Sequence, residues 1–240
     1  MPENTPHTPQ HRTGWVSRSN PRLYSPRNIE RYGDLIVDKA HRWAWKLDND
    51  QLQDLYLRHV SAQHLEIGPA DLHFLDHTPA PALEHQWQVD VLDINTAPLE
   101  AARHKLKGRA QVQLHEHDVL ALPWPTKKRH YHSLAIGNVL HCVPGAGFSA
   151  KGTAIQGMAE ALADDGVAWG YTLTSAQDPS TRTNRLARAL MWHYNRIDNT
   201  FHNRGDRLAD LERELKRHFA SLQVWPMGAA AVFVAAEPIR

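Results

Sequence analysis

Short apolar runs and helix-length amphipathic stretches take turns along most of this chain, and that alternation limits its fold more than any other feature. Strand-like runs fall at 64–68, 87–94, 112–119, 131–138 and 166–175, with helical stretches at about 70–77, 96–107, 149–164, 181–197 and 206–219. Strands separated by helices need crossover connections, so the pattern predicts a mostly parallel sheet covered on both faces. The last two runs, 221–227 and 230–236, are separated only by a tight turn around Gly228 and must pair as an antiparallel hairpin at the sheet edge. The expected architecture is an α/β doubly wound sheet of seven strands, parallel except for its final hairpin.

Two segments precede the sheet. Between Ser25 and His59, Tyr32, Leu35, Ile36, Lys39 and Trp43, then Leu52, Leu55, Tyr56 and His59, recur at spacings of three and four, which predicts two helices. They form an N-terminal helical lid over 22–60. Residues 1–21, rich in Pro, Thr, His, Asn and Arg, carry too few apolar side chains to offset the entropy of ordering them and are expected to be a mobile tail.

Composition removes several classes of partner. Lysine plus arginine number 27 against 26 acids, so no net field draws the chain to nucleic acid or an anionic membrane. No apolar run reaches the roughly 18 to 20 residues that span a bilayer, and the N-terminus lacks the apolar centre of a signal peptide. The single cysteine, Cys142, excludes an internal disulfide and a cysteine-rich zinc site. A cytoplasmic protein with a small-molecule partner is expected, and nothing separates monomer from homodimer.

In an open α/β sheet, ligands bind beyond the C-terminal ends of the strands. Gly68 ends the first strand, Asp93 the second and Asp118 the third. An acid ending the second strand, some 20 residues past a glycine loop, is placed to accept both ribose hydroxyls of an adenosine cofactor. Asp118 is placed for the adenine amino group. Each feature alone also reads as a turn glycine or a helix cap; their ordered succession describes an adenosine pocket. Density of histidine raises a metal reading at His73 with His77 and at His115 to Asp118, but no HExxH or cysteine pair supports it.

Glu66-Ile67-Gly68, Asp93 with Asn95, Asp118-Val119-Leu120 and the final hairpin resemble the class I S-adenosylmethionine-dependent methyltransferases. The segments YHSLAIGNVLHCVPG (131–145), GVAWGYTLTS (166–175), MWHYNRIDNTFHNRGD (191–206) and GAAAVFVAA are similar to those of bacterial and fungal members acting on small molecules of secondary metabolism. The likeness runs from about His64 to Ala236. It implies a Rossmann-like domain over 22–240, S-adenosyl-L-methionine as cofactor, S-adenosyl-L-homocysteine as product, and methyl transfer to O, N or S of a small metabolite. The implied cofactor site is Glu66, Gly68, Ala70, Asp93, Ile94, Asp118, Val119 and Asn138.

The loop after the first strand departs from the family pattern of Asp/Glu-x-Gly-x-Gly-x-Gly, for its second and third glycines correspond to Ala70 and Leu72. Leu72 either packs beneath the sheet or intrudes on the cofactor's methionine end. The second outcome would leave a scaffold diverted to cyclisation or rearrangement, or a non-catalytic partner subunit.

A sulfonium methyl needs chiefly an acceptor held in line and water kept out, with a base only for a reluctant acceptor. His141, just past the fourth strand, is the candidate base, and a buried histidine bonded to a carbonyl is the competing reading. A substrate-capping insertion over 177–205 offers Tyr194 and Asn195 for substrate contact, whereas Asp206, just before LADLEREL, reads as a helix cap. Tyr24 and Tyr32 are the expected lid contacts to substrate; Trp43 and Trp45 read more simply as helix packing.

Overall fold

The computed structural model describes residues 25–81 and 86–240; the expected tail over 1–21 and Tyr24 lie outside the described residues. In chain order the elements are α1 (Pro26–Glu30), α2 (Gly33–Trp45), α3 (Asn49–His59), β1 (Gln63–Ile67), α4 (His73–Asp76), β2 (Gln88–Asp93), α5 (Thr96–Leu106) and β3 (Gln111–Glu116). Then follow β4 (Tyr131–Gly137), α6 (Gly152–Ala161), β5 (Leu162–Leu173), α7 (Arg185–Arg196), α8 (Leu208–Leu215), β6 (Phe219–Met227) and β7 (Ala230–Pro238).

One seven-stranded sheet runs in the order β3-β2-β1-β4-β5-β7-β6, with β1 to β5 parallel and β7 antiparallel to both neighbours. Strand order reverses between β1 and β4, which opens a crevice at their C-terminal ends. Alternation along each strand feeds two cores. Leu65, Ile67, Leu134 and Ile136 pack with α6 and α8 on one face; Val89, Val91, Trp169 and Tyr171 pack with α2, α3 and α5 on the other.

β1 places His64 and Glu66 on this second face, where both are buried. Nδ1 of His64 lies 2.9 Å from Ser133 Oγ and its Nε2 2.9 Å from Glu66 Oε2, while the Tyr56 hydroxyl donates to Glu66 Oε1 at 2.9 Å. The polar groups of the strand are thus satisfied by one another and by α3.

Three local departures from the sequence reading have physical causes. The two expected N-terminal helices are three: Gly33 gives its N–H to the Asp71 carboxylate (3.1 Å), and from there α2 winds as a π-helix. The helix expected over 149–164 is regular only to Ala161, because Leu162 already pairs with Tyr131 in the sheet and Arg240 takes the Ala159 and Leu162 carbonyls. The helix expected over 70–77 shrinks to the single turn α4, since Gly68, Ala70 and Leu72 all have positive φ.

The hairpin anchors the N-terminal region. Gly228 turns with φ +53 against the carbonyls of Trp45 and Lys46, where a Cβ would collide, and Ala229 N–H bonds the Trp45 carbonyl at 2.8 Å. The C-terminal end of α2 is therefore seated on the β6–β7 turn.

Candidate functional site

The loop after β1 settles whether losing glycines has changed its shape. Gly68, Ala70 and Leu72 have φ of +63°, +49° and +62°, so the left-handed backbone persists at all three positions where the family pattern has glycine. For a residue with a Cβ that conformation costs roughly 1–2 kcal/mol. Its compensation is visible at Leu72, which is 2% exposed and packed in the core under the loop. The Leu72 side chain is therefore absent from the main cleft and borders only the smaller pocket beside it, and Ala70 adds only a methyl group to the cleft wall.

The strand ends converge on a cleft of about 760 Å³, open mouth included, lined by Gly68, Ala70, Asp93, Ile94, Asp118, Val119 and Asn138. Seven of the eight residues expected at the cofactor are thus brought together. Glu66 is the exception: its carboxylate is engaged by Tyr56 and His64 and borders a smaller adjoining pocket. Asn95, Cys142, Val143 and Pro144, part of the motifs but not singled out for the cofactor, also line the cleft, as does His117.

Asp93 Oδ1 accepts from Asn95 N–H at 2.7 Å and from the Asn95 side chain at 3.2 Å. Burial pushes its carboxyl up to about 6, the Asn95 and Ile94 bonds working in the opposite direction. Asp118 accepts from Leu120 N–H at 2.9 Å and is half-buried. Two carboxylates on successive strand ends, with Leu92, Ile94 and Val119 as apolar walls between them, match the hydroxyls, amino edge and flat faces of an adenosine.

A second chamber, about 1480 Å³ with its mouth, adjoins this cleft, and Tyr32, Asn138 and Cys142 line both. Its walls are mainly apolar, with Leu35, Ile36, Trp43 and Trp45 from α2 facing Leu186, Leu190, Tyr194 and Phe201 from α7 and the loop after it. His141 also lines this chamber, and among the described residues Lys39 is its only charged wall residue. Trp43 and Trp45, expected as helix packing, both line the chamber, Trp45 while also buried in the core. His141 is 3% exposed, its Nδ1 is 3.4 Å from Thr172 Oγ1, and burial first, then the charge of Lys151, lowers its pKa to about 3. Burial raises the Tyr194 phenol, with Asp198 adding to the effect.

Two expected roles are corrected. Asn195 does not line the chamber; its amide donates to the Met191 carbonyl (2.7 Å) and to Asn203 Oδ1 (2.8 Å), tying α7 to the following loop. Asp206 does not cap α8. It is fully buried in an ion pair with Lys151 (2.5 Å), and Asp178 Oδ2 instead accepts the Leu208 N–H at 2.7 Å. Burial holds Asp206 up at about 6 against the opposing Lys151 charge.

Among the described residues no group of three His, Cys, Asp or Glu side chains is arranged to hold a metal ion, and no helix is long and apolar enough to cross a membrane. His115 is instead turned to Asp90 (3.0 Å), and His117 to the Ala121 carbonyl (2.6 Å).

No family model matches the chain. It is 28% identical to the demethylluteothin O-methyltransferase of Streptomyces thioluteus over 83% of this chain and 84% of that protein. It is 29% identical to the methyltransferase verB of Penicillium polonicum over 90% and 97% of the respective chains. Its fold matches the O-methyltransferase NcsB1 from neocarzinostatin biosynthesis, solved with S-adenosyl-L-homocysteine and 1,4-dihydroxy-2-naphthoic acid. The TM-score is 0.57 at 18% identity, over 92% of this chain and 61% of that one. The chain is thus similar in sequence to curated methyltransferases and shares the fold of solved methyltransferases.

Proposed function

We propose that this chain is an S-adenosylmethionine-dependent methyltransferase that alkylates a hydroxyl oxygen of a flat, largely apolar small molecule in a natural-product pathway. The observation that carries the reading is the pair of abutting chambers, one with carboxylates at its strand ends, the other apolar with a neutral histidine in its wall. Asp93 holds the ribose hydroxyls, Asp118 the adenine edge, and the Gly68–Ala70 backbone, Ile94, Val119 and Asn138 the remainder of the cofactor. S-adenosylmethionine supplies a methyl group already activated on a sulfonium. The acceptor lies between α2 and α7, with α1 to α3 as lid and the 177–205 segment as cap, and the large apolar walls keep water from the reacting oxygen.

His141 then accepts the acceptor hydroxyl on Nε2, Nδ1 being turned to Thr172. With a pKa of about 3 it cannot deprotonate a phenol of pKa about 10 in advance. It takes the proton as the oxygen becomes alkylated and its O–H turns strongly acidic. Tyr32 and Tyr194 border the acceptor. The reading places the enzyme in the cytoplasm, where its lone thiol stays reduced.

Incubation with methyl-labelled S-adenosylmethionine and a panel of 2-naphthol, 2-naphthylamine and 1,4-dihydroxy-2-naphthoic acid tests the acceptor atom. Labelled ethers support the proposal; label found only in the amine moves the acceptor atom to nitrogen.

A further inference from the structure

A relay of hydrogen bonds leads from α2 to the boundary between the two chambers, and its direction follows from one end. The Val37 main-chain carbonyl can only accept, so Asn49, 2.8 Å away, presents its Nδ2 there. Asn49 Oδ1 must then face His41 Nδ1 at 2.7 Å, which puts the ring proton on Nδ1 and leaves Nε2 as an acceptor. Nε2 lies 3.0 Å from Asn138 Nδ2, which therefore donates, and the Asn138 Oδ1 is left buried with no hydrogen-bond partner among the described residues.

The ring that transmits this order is not free to turn. His41 is fully buried, stacked on Phe74 at 6.4 Å between centroids and met edge-on by Tyr171 at 5.8 Å. Burial lowers its pKa to about 4, so it stays neutral and keeps its accepting nitrogen through the ordinary working range. Asn138 has φ +56°, which positions its side chain at the chamber border by backbone shape as well. An acceptor atom buried without a donor is costly unless something else supplies one.

We propose that His41 is a positioning residue that fixes the Asn138 carboxamide with Oδ1 as a pure acceptor at the chamber border, and that the ligand there must bring an N–H or O–H donor. Either the ammonium of the cofactor's methionine part or the hydroxyl of the acceptor can supply it. The inference rests on the two-chamber reading above and adds to it a required polarity, set from a helix outside the cofactor cleft.

The test compares ligands with and without the donor. S-adenosylhomocysteine and its analogue with the α-amino group replaced by hydrogen are titrated calorimetrically; 2-naphthol and 2-methoxynaphthalene are titrated through the fluorescence of Trp43 and Trp45, which line the chamber. Wild type should prefer the donor-bearing member of one pair by about tenfold, the scale of one charge-assisted or desolvated hydrogen bond. His41→Leu and Asn138→Gly should reduce that preference below about twofold, and His41→Gln, whose amide can accept from Asn138 and donate to Asn49, should restore it. Preference in the nucleoside pair identifies the donor as the cofactor ammonium; preference in the naphthalene pair identifies it as the acceptor hydroxyl. Asn138→Gly suits the left-handed backbone and decides alone if His41→Leu does not fold. No preference in wild type, or one that survives either substitution, overturns the inference. Failure of S-adenosylhomocysteine to bind at all would count against the cofactor cleft instead.

Discussion

Asp93 and His141 carry opposite perturbations from the same cause, and each sets a pH dependence. Burial raises the Asp93 carboxyl to about 6, above the 3.9 of an exposed aspartate, so the folded protein retains this proton between about pH 4 and 6. On that group's account the apo fold gains stability as pH falls through this window. Cofactor affinity runs the other way, because ribose hydroxyls need the ionised acceptor. Calorimetric titration should show S-adenosylhomocysteine binding weaken below about pH 6, and Asp93→Ala should weaken it more than tenfold at pH 7 through the loss of charge-assisted hydrogen bonds. His141, depressed to about 3, is already neutral at pH 5, so the rate profile should show no acid limb from this residue between pH 5 and 8. His141→Gln should slow turnover by roughly 10²–10⁴ with S-adenosylhomocysteine affinity retained. Asp93 was legible because a strand end and a spacing define its place. Asn195 and Asp206 were not, since the partners that claim them, Asn203 and Lys151, come from turns and elements whose approach no local pattern encodes.

The loop between β1 and α4 shows an element keeping its backbone after losing the residues that make that backbone easy. Sequence reading placed it at the C-terminal end of the first strand but could not choose between a Leu72 beneath the sheet and one in the cleft, because both fit an apolar residue in a turn. The structure gives the former, and a sign follows. Leu72→Gly removes left-handed strain of roughly 1–2 kcal/mol but also a buried leucine worth roughly 2–5 kcal/mol, so it should destabilise the protein by about 2 kcal/mol in denaturant titration. Ala70→Gly removes similar strain and gives most of it back in glycine's unfolded-state entropy, so stability should change by less than about 1 kcal/mol. Neither variant should change S-adenosylhomocysteine affinity more than about threefold, because Leu72 is absent from the main cleft and Ala70 contributes only a methyl group to it. The same limit of local reading applies to α2: spacing found its apolar face, but the contact at its first residue, the Gly33 N–H to Asp71 some forty residues on, is a tertiary one.

At the level of the whole molecule, the strand count, the crossovers and the closing hairpin were all readable from periodicity, whereas the joints that connect distant segments were not. One such joint is Lys151 with Asp206, both fully buried, where Lys151 also bonds the His202 carbonyl at 3.3 Å and His202 N–H bonds the carbonyl of His141 at 2.7 Å. Lys151→Met or Asp206→Leu alone should cost roughly 3–5 kcal/mol by stranding the other charge, and the double substitution should recover most of that in a double-mutant cycle. The other joint is the seat of α2 on the Gly228 turn. Because α2 docks on a turn made by the β6–β7 pair, a chain whose closing hairpin has not paired has no seat for the helix that walls the second chamber.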